Sequence, residues 1–498
     1  MDPAALPAAG APVLTADYLR HWRLVPRPEG AVLRVLVAEE PDPQALDDLR
    51  WAYGGMEPVV ERVGEDELEA ALLRADEEQA ETAATLIASL GADAGVGADV
   101  PAEAGEGDLL AQAQEVPVVR LVNLLLMEAL AARASDLHLE AGRGRVQVRY
   151  RVDGVLVEAP SPPAALVPAV VGRLKVMAEL DVAERRRPQD GRVRLRLEER
   201  SVDVRVSTLP TLHGESVVLR LLESEGRRLG LEELGMAADT RARFAELLGC
   251  PHGVLLTTGP TGSGKTTTLY AALEQIRTGR EKIVTVEDPV EYALDRVAQV
   301  PVNRKAGVTF ASALRSILRQ DPDVILVGEM RDTETAEICV QAALTGHLVL
   351  STLHTNDAAG AIVRLVDLEV EPYLVASTVE GVLAQRLVRV VCRHCAGEHP
   401  VPAPVLREME AAGFPAERFR RGRGCPECRG TGYRGRTGVY ELLPVDEEVR
   451  AEVLRGRGVG TLREIALAGG MRPLRADGWR QVAAGVTTPE EVLRVSHA

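Results

Sequence analysis

The chain has 498 residues, 46% hydrophobic and 27% charged, a balance that suits several soluble globular domains and excludes wholesale disorder. Its 58 basic and 74 acidic residues leave a formal net charge of -16, which opposes a chain-wide grip on nucleic acid or anionic lipid. Six cysteines in so long a chain do not make a disulfide scaffold.

Met1–Gly10 lacks the basic start and apolar centre of a signal peptide. The nearest approach to an apolar span, Val116–Leu130, is interrupted by Arg120 and Glu128. A cytosolic protein, at most peripheral to a membrane, is expected.

Residues 1–90 read as a small N-terminal α/β domain, with a strand at Ala31–Val37 and a helix over Glu65–Ala75 that places Leu68, Leu72 and Leu73 on one side. Residues 91–107 turn to Gly, Ala and acidic residues without apolar periodicity, an acidic flexible linker. Residues 108–226 read as a second, α+β domain. It opens with an apolar helix, Val118–Ala132. A strand, Arg145–Val152, then runs through the turn pair Asp153-Gly154 into Val155–Val157. A second hairpin pairs Arg192–Leu197 with Ser201–Ser207. Arginines crowd its outward positions, as on a solvated sheet face.

Residues 227–388 alternate helices with four short apolar runs: Gly253–Thr258, Lys282–Glu287, Val324–Gly328 and His347–Leu353. Strands buried on both faces of a parallel sheet have this character. Residues 389–440 carry a cysteine cluster, and 441–498 read as helical.

The run Gly259-Pro260-Thr261-Gly262-Ser263-Gly264-Lys265-Thr266 fits G-x-x-x-x-G-K-[ST] at every position, after an apolar strand and before a helix starting at Thr267. Glycines let backbone N–H groups turn toward phosphate oxygens, and the helix N-terminus adds partial positive charge. Lys265 is expected to reach the β- and γ-phosphates of ATP, and the Thr266 hydroxyl to ligate Mg²⁺. Only four lysines occur in the chain, so a chance match is improbable. Two apolar strands end in carboxylates, Glu287-Asp288 and Glu329. At that edge of an open α/β sheet a carboxylate holds Mg²⁺ or orients the attacking water.

Leu318–Asp332, with Glu329 within it, resembles the signature of the type II secretion and type IV pilus assembly ATPases. An acidic box over Thr285–Glu291, a histidine box over Thr345–Asp357, Ala134–Glu140 and Arg205–Arg220 are similar to the same family. The resemblance covers about three quarters of the chain. It implies a multidomain α/β protein with a RecA-like P-loop NTPase core, a preceding PAS-like α+β domain and a small N-terminal domain. It further implies a hexamer that binds ATP between neighbouring subunits. Glu329 takes the place of the Walker B glutamate, Glu287 that of the acidic-box glutamate and His354 that of the γ-phosphate sensor. Arg205 and Arg220 take the place of the arginines that the second domain supplies to nucleotide. His138 and His347 are read as structural.

The resemblance further implies ATP hydrolysis that drives protein export at the inner membrane, with the N-terminal domain docking on the cytoplasmic domain of a platform protein. Type II secretion is preferred, because the N-terminal domain lacks the repeated R-L-G-x-x-L pattern of some pilus-assembly relatives. A pilus motor is the alternative, and a nucleic-acid translocase is opposed by the net charge.

Cys392-x-x-Cys395 and Cys425-x-x-Cys428 present four thiolates suited to a structural Zn²⁺. The long gap between the pairs predicts a helical hairpin over Val401–Phe419 outside the knuckles. The family carries a similar four-cysteine insert. Cys250 and Cys339 read as buried core residues, and His394 as a bystander.

Overall fold

The computed structural model describes residues 19, 22–29, 32–53, 56–65, 67–69, 71–72, 83–87, 116–143, 145–197, 200–223 and 229–496. The expected linker at 91–107 and the helical residue Leu73 lie outside the described residues. Two compact units emerge. One takes in the chain up to Ala131 with Ala141–Val148 and Ala159–Val176; the other takes in Ala132–Glu140, Arg149–Glu158 and Met177–Ala498.

In the first unit, β1 (Leu24–Glu29), β2 (Val32–Val37) and β3 (Pro58–Arg62) form a three-stranded sheet in that order. β1 is antiparallel and β3 parallel to β2, and helix Pro43–Ala52 makes the crossover that a parallel pair needs. Leu33, Val35, Leu49, Leu68 and Leu72 close one core. The apolar helix expected over Val118–Ala132 spans Val116–Ala131.

A six-stranded sheet is built from β4 (Ala134–Gly142), β5 (Arg145–Val152), β6 (Val155–Ala159), β7 (Gln189–Leu197), β8 (Arg200–Thr211) and β9 (Gly214–Glu223), in the order β6-β5-β4-β9-β8-β7. Asp153 and Gly154 both take positive φ, 50° and 83°, which the two-residue hairpin turn requires. Both hairpins expected from the sequence are present. Their register aligns Arg192 with Arg205, Arg205 with Arg220, and Arg220 with Asp136. Directly opposed residues of antiparallel strands share a face, so three arginines and one aspartate form a rung across four strands.

The second unit also holds a seven-stranded sheet. Its strands come from the series β10 (Gly253–Thr258), β11 (Ile283–Glu287), β12 (Val297–Pro301), β13 (Val324–Val327), β14 (Leu348–Leu353), β15 (Val379–Val391), β16 (Ala396–Pro400), β17 (Arg418–Gly422) and β18 (Tyr433–Pro444). The sheet order is β12-β11-β13-β14-β10-β15-β18; all neighbours are parallel except the last pair, and β16 and β17 form a separate hairpin. The four apolar runs are the buried strands β10, β11, β13 and β14, each covered on both faces. Strands β12, β15 and β18 have no counterpart in the sequence reading.

Two expectations are corrected. Val401–Phe419 holds one helix, Ala403–Ala411, followed by β17, not a helical hairpin. Gly413 at φ 80° reverses the chain after the helix, and Phe419 then points inward while Arg418 and Arg420 stay exposed, a period of two that makes a strand. Phe419, Val401 and Met409 pack with Trp479, Val482 and Val492 of the last two helices, Leu474–Ala483 and Pro489–Ser496. Cys339 is buried as expected, but Cys250 is only half-buried at a helix exit.

Candidate nucleotide site and cysteine centre

The P-loop joins β10 to helix Lys265–Ile276, so the first helical N–H groups face the loop's concave side. Gly259, Gly262 and Gly264 adopt φ of 153°, 78° and 88°, which L side chains resist. Space is equally restrictive, because a Cβ on Gly259 would stand 2.5 Å from the Gln385 carbonyl and one on Gly264 2.7 Å from Gln385 Nε2. Gln385 lies on β15 and is held by the Thr268 hydroxyl at 2.8 Å. Lys265 Nζ donates to the carbonyls of Gly259 (2.7 Å) and Pro260 (3.1 Å). Burial pushes its ammonium down to about 8, with Glu329 opposing and Arg386 reinforcing the shift.

Glu287 closes β11 and is buried, 3% exposed. Its carboxylate accepts from Thr285 Oγ1 at 2.5 Å, from Gln299 Nε2 at 3.1 Å and from the Tyr270 hydroxyl. Burial, reinforced by Glu287, drives the Tyr270 hydroxyl well above its ordinary pKa, which keeps it a proton donor. Tyr270 belongs to the P-loop helix, so this bond ties that helix to the acidic strand end. Glu329 follows β13, and its Oε2 lies 2.6 Å from Arg331 Nε and 3.5 Å from His354 Nε2. The Thr352 hydroxyl donates to the Gly328 carbonyl at 2.8 Å, pinning the turn that carries Glu329. P-loop, Glu287, Glu329 and His354 thus occupy the C-terminal ends of four parallel strands, the edge where open α/β sheets take ligands.

Arg205 and Arg220 reach the same place from the six-stranded sheet. Arg220 Nε donates to Asp136 Oδ1 at 3.1 Å, and Asp136 also takes Ser135 Oγ at 2.8 Å. Burial lowers the pKa of Arg205, partly offset by Glu291. One cavity of about 1150 Å³ is lined by Pro260–Thr267, Glu287, Glu329, His354, Arg205 and Arg220. Gly259 lies just behind it, against Gln385. His347 is held locally, its Nδ1 within 2.8 Å of the Ala342 carbonyl. Sequence reasoning missed Tyr270, Asp136, Gln299, Gln385 and Arg386. Gln385 was the most accessible of these, being the one amide within the apolar run Val379–Leu387.

The four cysteines converge, every Sγ lying within 4.8 Å of the others. Cys392–Cys425 and Cys395–Cys428 are 3.8 Å apart and Cys425–Cys428 3.6 Å. A tetrahedron of thiolates around zinc, with Zn–S of about 2.3 Å, sets edges of about 3.8 Å, so the donor set fits that ion. The N–H groups of Cys425 and Gly432 donate to Cys428 Sγ at 3.1 and 3.2 Å, which favours the thiolate. All four thiols are free of disulfides.

A family profile described as Type II/IV secretion system protein matches residues 111–494. The chain belongs to that family. Type II secretion system protein E of Pectobacterium carotovorum is 46% identical over 487 residues, 97% of each chain. Type II secretion system protein HxcR of Pseudomonas aeruginosa is 54% identical over 78% of this chain and 79% of its own. Type II secretion system ATPase E of Vibrio cholerae is 48% identical over 78% and 77% respectively. Among solved structures, the pilus retraction motor PilT with bound ADP is 26% identical with a TM-score of 0.52, covering 75% of this chain and 96% of its own. The Legionella pneumophila ATPase DotB, 20% identical, has the same fold at a TM-score of 0.57, over 80% and 99%. The protein is an ATP-hydrolysing enzyme of type II secretion, built on an α/β fold like those of PilT and DotB.

Proposed function

We propose that the protein works as a cytoplasmic homohexamer that spends ATP on moving secreted proteins outward, docked through residues 1–90 on an inner-membrane platform protein. The observation that carries the site chemistry is the single cavity shared by P-loop, strand-end acids, His354 and the two arginines. Gly259–Thr267 cradles the phosphates, and the Thr266 hydroxyl would hold Mg²⁺. Glu329 orients the attacking water, while Glu287, held in place by its three donors, would help to hold Mg²⁺ by its charge. His354 reports on the γ-phosphate next to Glu329. Arg205 and Arg220 offset charge developing on the transferred group. The core is RecA-like and the preceding domain PAS-like. The four cysteines hold one structural zinc, a role supported by their spacing, and with four sulfur ligands it keeps no open position for catalysis.

Relatives named for type II secretion favour that machine over pilus assembly. No helix among the described residues is long and apolar enough to cross a membrane; in this reading attachment runs through a protein partner. The decisive experiment measures ATPase rate per chain against protein concentration, with and without the partner's cytoplasmic domain. A rate that rises with concentration and with partner supports the assembly. A rate per chain independent of both refutes it.

A further inference from the structure

Strand β15 runs on past Ala384, its last pairing with β10, and so projects beyond the P-loop edge of the sheet. Gln385, Leu387 and Arg389 follow each other on one face at the strand's period of two. Gln385 underlies Gly259 and Gly264, and Leu387 lies 3.5 Å from where a Cβ on Gly264 would stand. Arg389 is anchored by Glu491, which accepts from its backbone N at 3.0 Å and from Nη2 at 2.8 Å. The Arg389 guanidinium also sits 4.1 Å above the Tyr433 ring.

Glu491 is 2% exposed and belongs to helix Pro489–Ser496. It takes a second arginine in bidentate fashion, Arg494 Nε at 2.9 Å and Nη2 at 2.7 Å. Burial opposes ionisation of this carboxyl, but Arg494 and Arg389 outweigh it and hold the group at about 2. The fork is therefore fixed at any working pH. Among the described residues Arg494 Nη1 has no hydrogen-bond partner, and the side chain lines the same cavity as the P-loop, together with Val495 and Leu387. The wall holding Glu329, His354, Arg205 and Arg220 is committed to the reacting phosphate. Leu387, Arg494 and Val495 offer an apolar and cationic surface suited to an aromatic base and its ribose.

We propose that the C-terminal helix forms the nucleoside wall of the nucleotide site, with Arg494 contacting the base or ribose of ATP and Glu491 positioning it. The inference rests on the reading of Gly259–Thr267 as the phosphate cradle. In consequence the helix that packs on the cysteine module through Val492 is part of what ATP touches.

The test uses full-length protein and two probes, ATP and inorganic tripolyphosphate, with affinities measured by calorimetry. R494A weakens ATP binding roughly 3- to 20-fold and leaves tripolyphosphate binding unchanged. R494K, which keeps an ion pair to Glu491 but loses the planar fork, shows the same split, and a melting curve verifies that both variants fold. ATP affinity unchanged in both variants overturns the proposal. So does an equal loss for both probes, which would place Arg494 at the phosphates. A wild-type chain that binds neither probe refutes the phosphate cradle itself.

Discussion

At Glu329 the carboxylate lies between Arg331 and His354, and in the proposed mechanism it orients the attacking water. Glu329→Gln keeps the shape and removes the charge, so ATP affinity stays within about threefold while turnover drops ~10²–10⁴-fold, read as phosphate release. Wild-type-like release would remove Glu329 from the mechanism. Tyr270→Phe deletes one donor to the buried Glu287 carboxylate. Loss of a hydrogen bond to a charged group predicts a kcat roughly tenfold lower, with ATP affinity nearly intact, whereas a merely structural role for Tyr270 would lower the melting temperature without moving kcat. Lys265 makes the site pH-sensitive. Its ammonium is depressed to about 8 by burial, and phosphate favours the charged form, so binding takes up a proton once the pH exceeds that value. ATP affinity is then flat below about pH 7 and weakens as pH rises past 8. Calorimetry at pH 8.5 in buffers of different ionisation enthalpy checks this, and an enthalpy independent of buffer contradicts it.

Elements transmit these residue effects. The P-loop keeps its curve because β15 brings Gln385 against it. Gly264→Ala meets both a left-handed φ and Gln385 Nε2, a backbone penalty of about 1–2 kcal/mol before any clash, and ATP affinity falls at least roughly tenfold. Retained affinity in that variant would mean that the loop re-forms without the glycine. The cysteine module is a β-hairpin and helix held on one side by four thiols and on the other by Phe419, Met409 and Trp479. Changing Cys392 and Cys395 to Ser takes zinc, by elemental analysis, from about one per chain to none, and lowers the melting temperature of the full chain. Zinc retained in that variant would relocate the metal.

Across the whole molecule, the features readable without coordinates are those carried by contiguous residues. Gly259–Thr266 is legible as a phosphate-binding pattern because its geometry is local: three left-handed glycines, one lysine and a helix start. The CxxC pairs and the apolar strands β10, β11, β13 and β14 are local in the same sense. Their periodicity states what they bury, whatever their partners. The side chains that finish the site are of another kind. Gln385 meets Thr268 across 117 positions, Asp136 meets Arg220 across 84, and Arg389 meets Glu491 across 102. Nothing in the neighbourhood of any of these residues encodes that meeting. Strand order places β15 beside β10, antiparallel register aligns Arg205, Arg220 and Asp136, and packing of Trp479 and Val492 fixes the last helix. The identity of the chemistry therefore follows from short-range backbone geometry. The shape of the cavity in which it operates follows from long-range pairing, which only the folded chain specifies.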